Sequence, residues 1–206
     1  MKQLLLDIQL PARPSFENFL VGQNAEALHT LINSLSEQPH QRFIYLWGSP
    51  GSGKTHLVQA MRDLAQAQDK HLISADDVHL FSEKQQIALF NDYNQAREQL
   101  AVVLVTGNAS PMQMGLRDDL ASRLAWGVTY QLQPLSDEEK ADALKTRAHQ
   151  LGMKLPDDVV DYCFRYLRRD LPSLMATLDA LDQWSLQEKK PVTVNMLRKL
   201  IQRPLI

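Results

Sequence analysis

Hydrophobic and polar positions change rhythm twice along this chain. From Asn24 onward, Ala27, Leu28, Leu31, Ile32 and Leu35 recur at steps of three and four, which predicts an amphipathic helix that Asn24 can cap. "RFIYLW" (42–47) follows as an almost unbroken apolar run with aromatic and β-branched members. That is the pattern of a strand covered on both faces in a parallel sheet. The helical period returns in "THLVQAMRDLAQAQ" (55–68), through Leu57, Val58, Met61, Leu64 and Ala65. "HLISA" (71–75) predicts a weaker strand and "AVVLVT" (101–106) a strong one. Between them, "EKQQIALFNDYNQAREQ" (83–99) repeats the helical period through Ile87, Leu89, Phe90, Tyr93 and Ala96. "GVTYQL" (127–132) is a fourth candidate strand.

The second change comes at "QPLSDEEK". Ser136 and Glu139 have the S-x-x-E spacing of a capping box, and from there the pattern is helical throughout, near 137–151, 157–168, 172–187 and 193–202. Strands alternating with helices imply a parallel α/β layer, and the all-helical remainder implies a smaller subdomain. Cys163 shares an apolar helical face with Val159, Val160, Phe164 and Leu167 and is expected in that subdomain's core.

The first ten residues, "MKQLLLDIQL", fit neither rhythm. Asp7 interrupts the apolar run and Pro11 ends it, so the segment is neither a secretory signal nor a membrane span. A local strand, a packed tail and a ligand for another protein all remain open at this level.

Composition narrows the classes. A chain of 206 residues supports one domain with a small appendage. A net charge of −2 argues against a strongly basic nucleic-acid-binding surface as the main activity, although Arg165, Arg168 and Arg169 make a local basic patch. One cysteine excludes an internal disulfide, and the histidines show no ligand spacing such as HExxH. The simplest expected compartment is the cytoplasm.

The chemistry concentrates in "GSPGSGKT", Gly48 to Thr55, which matches G-x-x-x-x-G-K-[ST] between a predicted strand and a predicted helix. Gly48, Gly51 and Gly53 let the backbone turn its N–H groups inward on anionic oxygens, and the following helix adds the positive end of its dipole. Lys54 is placed to reach the β and γ phosphates and the Thr55 hydroxyl to ligate Mg²⁺. Downstream, "LISADD" (72–77) ends an apolar strand in two carboxylates. Asp76 is expected beside the metal through its water shell, and Asp77 where a carboxylate can orient an attacking water.

From "FENFLVGQNAEAL" onward the sequence resembles the AAA+ family and, within it, the DnaA-type initiation proteins. "FENFLVG", "GSPGSGKTH", "ADDVHLFSEKQQIALFNDYN", "LVTGN" and "DLASRLAWG" carry the resemblance across residues 16–133, and "QLQPLSDEEKADALKTRA" opens the helical end where AAA+ proteins have a lid. The fold this implies is α/β, an AAA+ P-loop core (13–134) with an all-α lid (135–206) behind a tail (1–12). The cofactors it implies are an adenine nucleotide, ADP or ATP, and Mg²⁺. Nucleotide contacts would come from Gly48, Ser49, Pro50, Gly51, Ser52, Gly53, Lys54, Thr55 and His56. Leu20 and Val21 would line the adenine pocket, and Thr106 and Asn108 occupy the first-sensor region. Arg123, in "SRL", corresponds to the arginine that one AAA+ subunit projects into its neighbour's nucleotide site.

The resemblance also gives the opening segment a use. Proteins that ride on the bacterial sliding clamp carry peptides of the form Q-L-x-L-x-[LF], and Gln3, Leu4, Leu6 and Ile8 take those places. The function so implied is regulatory: a clamp-tethered protein that stimulates hydrolysis of DnaA-bound ATP, with at most weak turnover of its own. The expected partners are DnaA and the clamp, with DNA engaged only indirectly or weakly and no membrane, and pairing with a second copy of the chain is left open. The sequence ends at "RKLIQRPLI" without the helix-turn-helix by which DnaA reads origin DNA, which favours this regulator over an initiator. A helicase-loader-like module and an autonomous DnaA-like ATPase are the alternatives.

Two departures from the family pattern carry expectations of their own. About 22 positions separate Lys54 from Asp76, so a strand and loop of relatives are missing and a four-stranded sheet is expected, with the P-loop strand and the Asp76 strand one strand apart. If that crossover keeps Asp76 from the metal, hydrolysis by this site is in doubt while binding is not. The lid's sensor arginine falls on Pro172, leaving Arg168 or Arg169 as the nearest replacements.

Overall fold

The computed structural model describes residues 13–202, so Gln3, Leu4, Leu6 and Ile8 lie outside the described residues. Four parallel strands form one sheet: β1 (Phe43–Trp47), β2 (Leu72–Ala75), β3 (Val102–Gly107) and β4 (Val128–Gln131), in the order β2-β3-β1-β4. This is the expected four-stranded sheet, with one strand between β1 and β2. β3 is buried at every position, which explains its unbroken apolar run up to Thr106. Alternate residues of β1 point to opposite faces. Ile44 and Leu46 pack with α1 (Ala25–Ser34) and α2 (Lys54–Ala67). Tyr45 packs with α3 (Glu83–Gln99) and α4 (Asp118–Trp126). Burial drives the Tyr45 hydroxyl well above its usual pKa. Its proton goes to the Ala109 carbonyl at 2.7 Å, across the Cα of Gly107, where a side chain would collide with it.

Several expectations need correction. Asn24 precedes α1 but does not cap it. Its side chain donates to the Gln133 carbonyl (2.9 Å) and accepts from the Gln133 N–H (2.8 Å), a two-way bond across the start of α1 and the chain beyond β4. An amide that matches both backbone groups of a distant residue satisfies two half-buried partners at once, where a cap satisfies one. Ile32 and Ile87 lie on the outer sides of their helices and are exposed, so the apolar stripes of α1 and α3 are narrower than their spacing implied. α4 has no counterpart among the predicted elements.

The helical end comprises α5 (Asp137–Gln150), α6 (Asp157–Tyr166), α7 (Leu171–Glu188) and α8 (Val194–Gln202). Ser136 and Glu139 do form the expected capping box: the Glu139 N–H donates to the Ser136 hydroxyl and the Ser136 N–H to the Glu139 carboxylate. The described residues divide into two units, Pro14–Ala143 and a unit from Leu144 onward, so the division falls inside α5. The second unit has its own core of Leu144, Val159, Cys163, Leu174, Leu178 and Leu197. Pro172 sits in the first turn of α7, where its missing N–H costs nothing, and Asp170 caps that helix. No helix among the described residues is long and apolar enough to cross a membrane.

Candidate functional site

The phosphate-type loop runs from the end of β1 into α2. Its shape depends on glycine at two points. Gly53 holds φ at +95°, and the Phe19 ring occupies the space a side chain there would need. At Gly48 a Cβ would press on the Leu132 carbonyl, just past β4, and on the Ser52 hydroxyl. Gly51, at φ +82°, faces open space. Lys54 is almost wholly buried, and its ammonium donates to the carbonyls of Gly48 (2.8 Å) and Ser49 (3.1 Å), so the lysine spans the mouth of its own loop. The Ser52 hydroxyl is enclosed and meets no partner on the protein. Ser49, Pro50 and Thr55 are exposed. The loop thus combines turned-in backbone, a buried cation and a helix N-terminus, which together suit a polyanion.

His56, which follows the loop in the first turn of α2, also reaches back to the segment before α1. Its ring lies 5.3 Å from that of Phe19, and Nε2 is 2.9 Å from the Ser15 carbonyl. It fastens residues 15–19 to the first turn of α2. Beside it, Val21 packs onto the core while Leu20 is exposed.

Past β2 one side chain engages both acidic residues, Asp76 by its carboxylate and Asp77 by its backbone N–H. The Thr106 hydroxyl donates to Asp76 at 2.5 Å and accepts from the Asp77 N–H at 2.9 Å. Asp77 adopts a left-handed backbone (φ 51°), with its carboxylate 3.9 Å from Nδ1 of His79, a buried atom that meets no hydrogen-bond partner. Thr106 was noted in the sequence only by its region, yet it is the polar residue of an otherwise apolar strand, a signal strong enough to have singled it out. Asn108 is exposed just beyond β3. Among the described residues no three His, Cys, Asp or Glu side chains gather into a metal site. The Thr55 hydroxyl and Asp76 are the donors of the type a phosphate-bound Mg²⁺ takes.

Arg123 stands apart, in the last turn of α4. Its guanidinium lies over the Phe90 ring at 5.9 Å and makes no hydrogen bond or ion pair with another described residue. In the helical unit, Arg168 pairs with Asp170 (3.2 Å) and Arg169 donates to the Phe164 carbonyl (3.0 Å), so both brace the link between α6 and α7.

Comparison with known proteins accounts for both parts of the chain. The family model for the bacterial DnaA ATPase domain matches residues 10–75, and the one described as the lid domain of Hda matches residues 137–201. Both ends of the chain are thus similar to DnaA-related AAA+ proteins. The α/β unit and the helical end are similar to domain III of the Thermotoga maritima replication initiation protein DnaA: TM-score 0.74 and 20% identity over 94% of this chain and 97% of that one. AMPPCP-bound DnaA from Aquifex aeolicus matches with TM-score 0.69 and 20% identity, covering 88% of this chain and 71% of its own. A Thermotoga maritima RuvB variant matches at 0.61 and 14%, over 92% and 71%. At these identities the likeness is one of fold.

Proposed function

We propose that this chain is a nucleotide-bound regulator that promotes hydrolysis of the ATP carried by DnaA, and so restrains re-initiation of replication. The observation that carries the reading is Arg123: a cation at the end of α4 with no protein counter-charge among the described residues. An arginine supplied to a neighbour's γ-phosphate contributes as much as about 10³–10⁵ in rate in well-studied phosphoryl transfers. The match of the helical end to the lid of Hda supports a regulator of the DnaA family.

In this reading the loop from Gly48 to Thr55 holds an adenine nucleotide, with Leu20 and Val21 toward the base and Lys54 leaving its loop carbonyls for the phosphates. The AMPPCP bound by a DnaA of the same fold supports that ligand class. Thr55 and Asp76 would hold Mg²⁺, which neutralises phosphate charge when bound. Thr106 keeps Asp76 and Asp77 in fixed register behind the loop. Gln3, Leu4, Leu6 and Ile8 serve as the peptide that docks on the sliding clamp and raises the local concentration of the regulator near replicated DNA.

The test is a reconstitution with labelled ATP on DnaA, the sliding clamp and DNA. Adding this chain should accelerate hydrolysis, and Arg123→Ala or the pair Gln3→Ala/Leu4→Ala should remove the acceleration. Two results overturn the proposal. Turnover by the isolated chain that needs both Lys54 and Arg123 would make it an autonomous ATPase. Single-strand DNA binding with no effect on DnaA would favour a helicase-loader module.

A further inference from the structure

A second concavity lies at the opposite end of the sheet from the phosphate loop. Arg42 and His71 stand immediately before β1 and β2, whereas the loop follows β1 at its far end, five residues or about 16 Å of strand away. The cavity has a volume of about 380 Å³, within the range of small-molecule sites. One side is basic, with the cations of Arg42 and Lys70 beside the His71 imidazole, against Glu37 as the acidic member of its lining. Leu35 and Leu100 supply an apolar side.

Three features point to a ligand. Nη1 of the half-buried Arg42 is enclosed and meets no acceptor, an uncommon state for an enclosed polar atom. Leu100 takes a left-handed backbone (φ 56°) at the end of α3, a place where glycine is usual, and leaves its side chain 71% exposed on the rim. The cations are also not consumed by the helix ends that gather at this edge, although helix C-termini attract positive charge. Those ends are closed by the chain's own amides: Lys70 N–H to the Ala65 carbonyl (2.9 Å) and Ala101 N–H to the Ala96 carbonyl (3.1 Å).

We propose that this cavity binds a small amphipathic organic anion, a carboxylate or a phosphate monoester with a short aliphatic arm. The anionic end sits on the Arg42 guanidinium between Lys70 and His71, because two parallel N–H groups along one edge of that plane match such oxygens. The aliphatic arm lies against Leu35 and Leu100.

The experiment is a methyl NMR titration of the full chain with N-acetyl-leucine, isoamyl phosphate and the neutral N-acetyl-leucinamide. The methyls of Leu35, Leu100 and Val102 should shift saturably with at least one anion, and which anion saturates first tells carboxylate from phosphate. The amide should bind about ten-fold more weakly or worse, and Arg42→Gln should weaken the anion by a similar factor. Leu100→Gly should raise Tm by relieving the left-handed backbone while loosening the ligand, a combination that a purely structural role would not give. Should Arg42→Gln fail to fold, Lys70→Gln, at an exposed residue, carries the same test. No saturable shift with either anion, equal binding of the amide, or unchanged binding in folded Arg42→Gln or Lys70→Gln overturns the proposal.

Discussion

Thr106 and Asp76 are joined by a 2.5 Å hydrogen bond one residue past the point where β2 and β3 pair Ala75 with Val105. The same hydroxyl receives the Asp77 N–H, so a single buried side chain sets the positions of two neighbouring acidic residues. Replacing it with valine keeps the shape and removes both bonds, leaving a carboxylate and an amide short of a partner. Thr106→Val should cost about 2–3 kcal/mol in urea unfolding with an unchanged m-value.

Lys54 is the counterpart of that arrangement on the loop. Its stem is buried and its ammonium is held by two carbonyls that any phosphate must outcompete. Lys54→Met keeps the stem and discards the charge. Equilibrium dialysis with labelled ADP should show uptake reduced about a hundred-fold or more, alongside a stability loss of about 1–3 kcal/mol from the stranded Gly48 and Ser49 carbonyls.

The Asn24–Gln133 pair ties the start of α1 to the chain leaving β4, where the Leu132 carbonyl abuts Gly48. Asn24→Ala strands both backbone groups of Gln133. A loss of about 2–3 kcal/mol is expected in denaturant unfolding. Asn24→Asp should also be destabilised, because a carboxylate cannot donate to the Gln133 carbonyl.

Cys163 should behave as core. Burial pushes its thiol up to about 11, against an ordinary value of 9.0. The neutral thiol is the form the fold favours, so its contribution is fully present below pH 9 and is lost as pH rises through about 11, an effect of about 3 kcal/mol. Native protein should therefore resist Ellman's reagent at pH 8 until it is unfolded. Cys163→Ala should flatten the fall in stability across that alkaline window.

Asp170 has the opposite sign. The hydroxyl and amide of Ser173, aided by Arg168, hold its carboxyl below the usual carboxylate range. Its contribution is present above the usual carboxylate range, near pH 4, and fades as pH falls through the lower value it takes in the fold. Asp170→Ala should cost the helical unit about 1 kcal/mol at pH 7. Acid titration of helicity should show parent and variant converging as the parent's carboxylate protonates.

The strands were legible because each is a short apolar run between polar turns, and the loop because its glycines and lysine stand between a strand and a helix. The four-stranded sheet was legible from the short spacing between Lys54 and Asp76 set against the pattern of the family the sequence resembles. α4 escaped because "DDLASRLAW" has a short, half-polar stripe and follows a segment of turns, so its helical form depends on packing against α3 and β1. Asn24 misled because a cap and a cross-link use the same side chain, and only the tertiary position of Gln133 decides between them. His56 belonged to a recognisable loop, yet the carbonyl it meets lies 41 residues earlier in the chain, a distance that no local pattern spans.

The shortened sheet leaves β2 at a margin, and such margins invite stray chains to zip on. Here the margin is only four residues long, and Arg62 reaches over to the Ser74 hydroxyl at 2.7 Å and toward its carbonyl at 3.5 Å. Brevity and a bulky cation together make a poor template for runaway assembly. An edge this short and this occupied needs no further element laid over it to turn strange strands away.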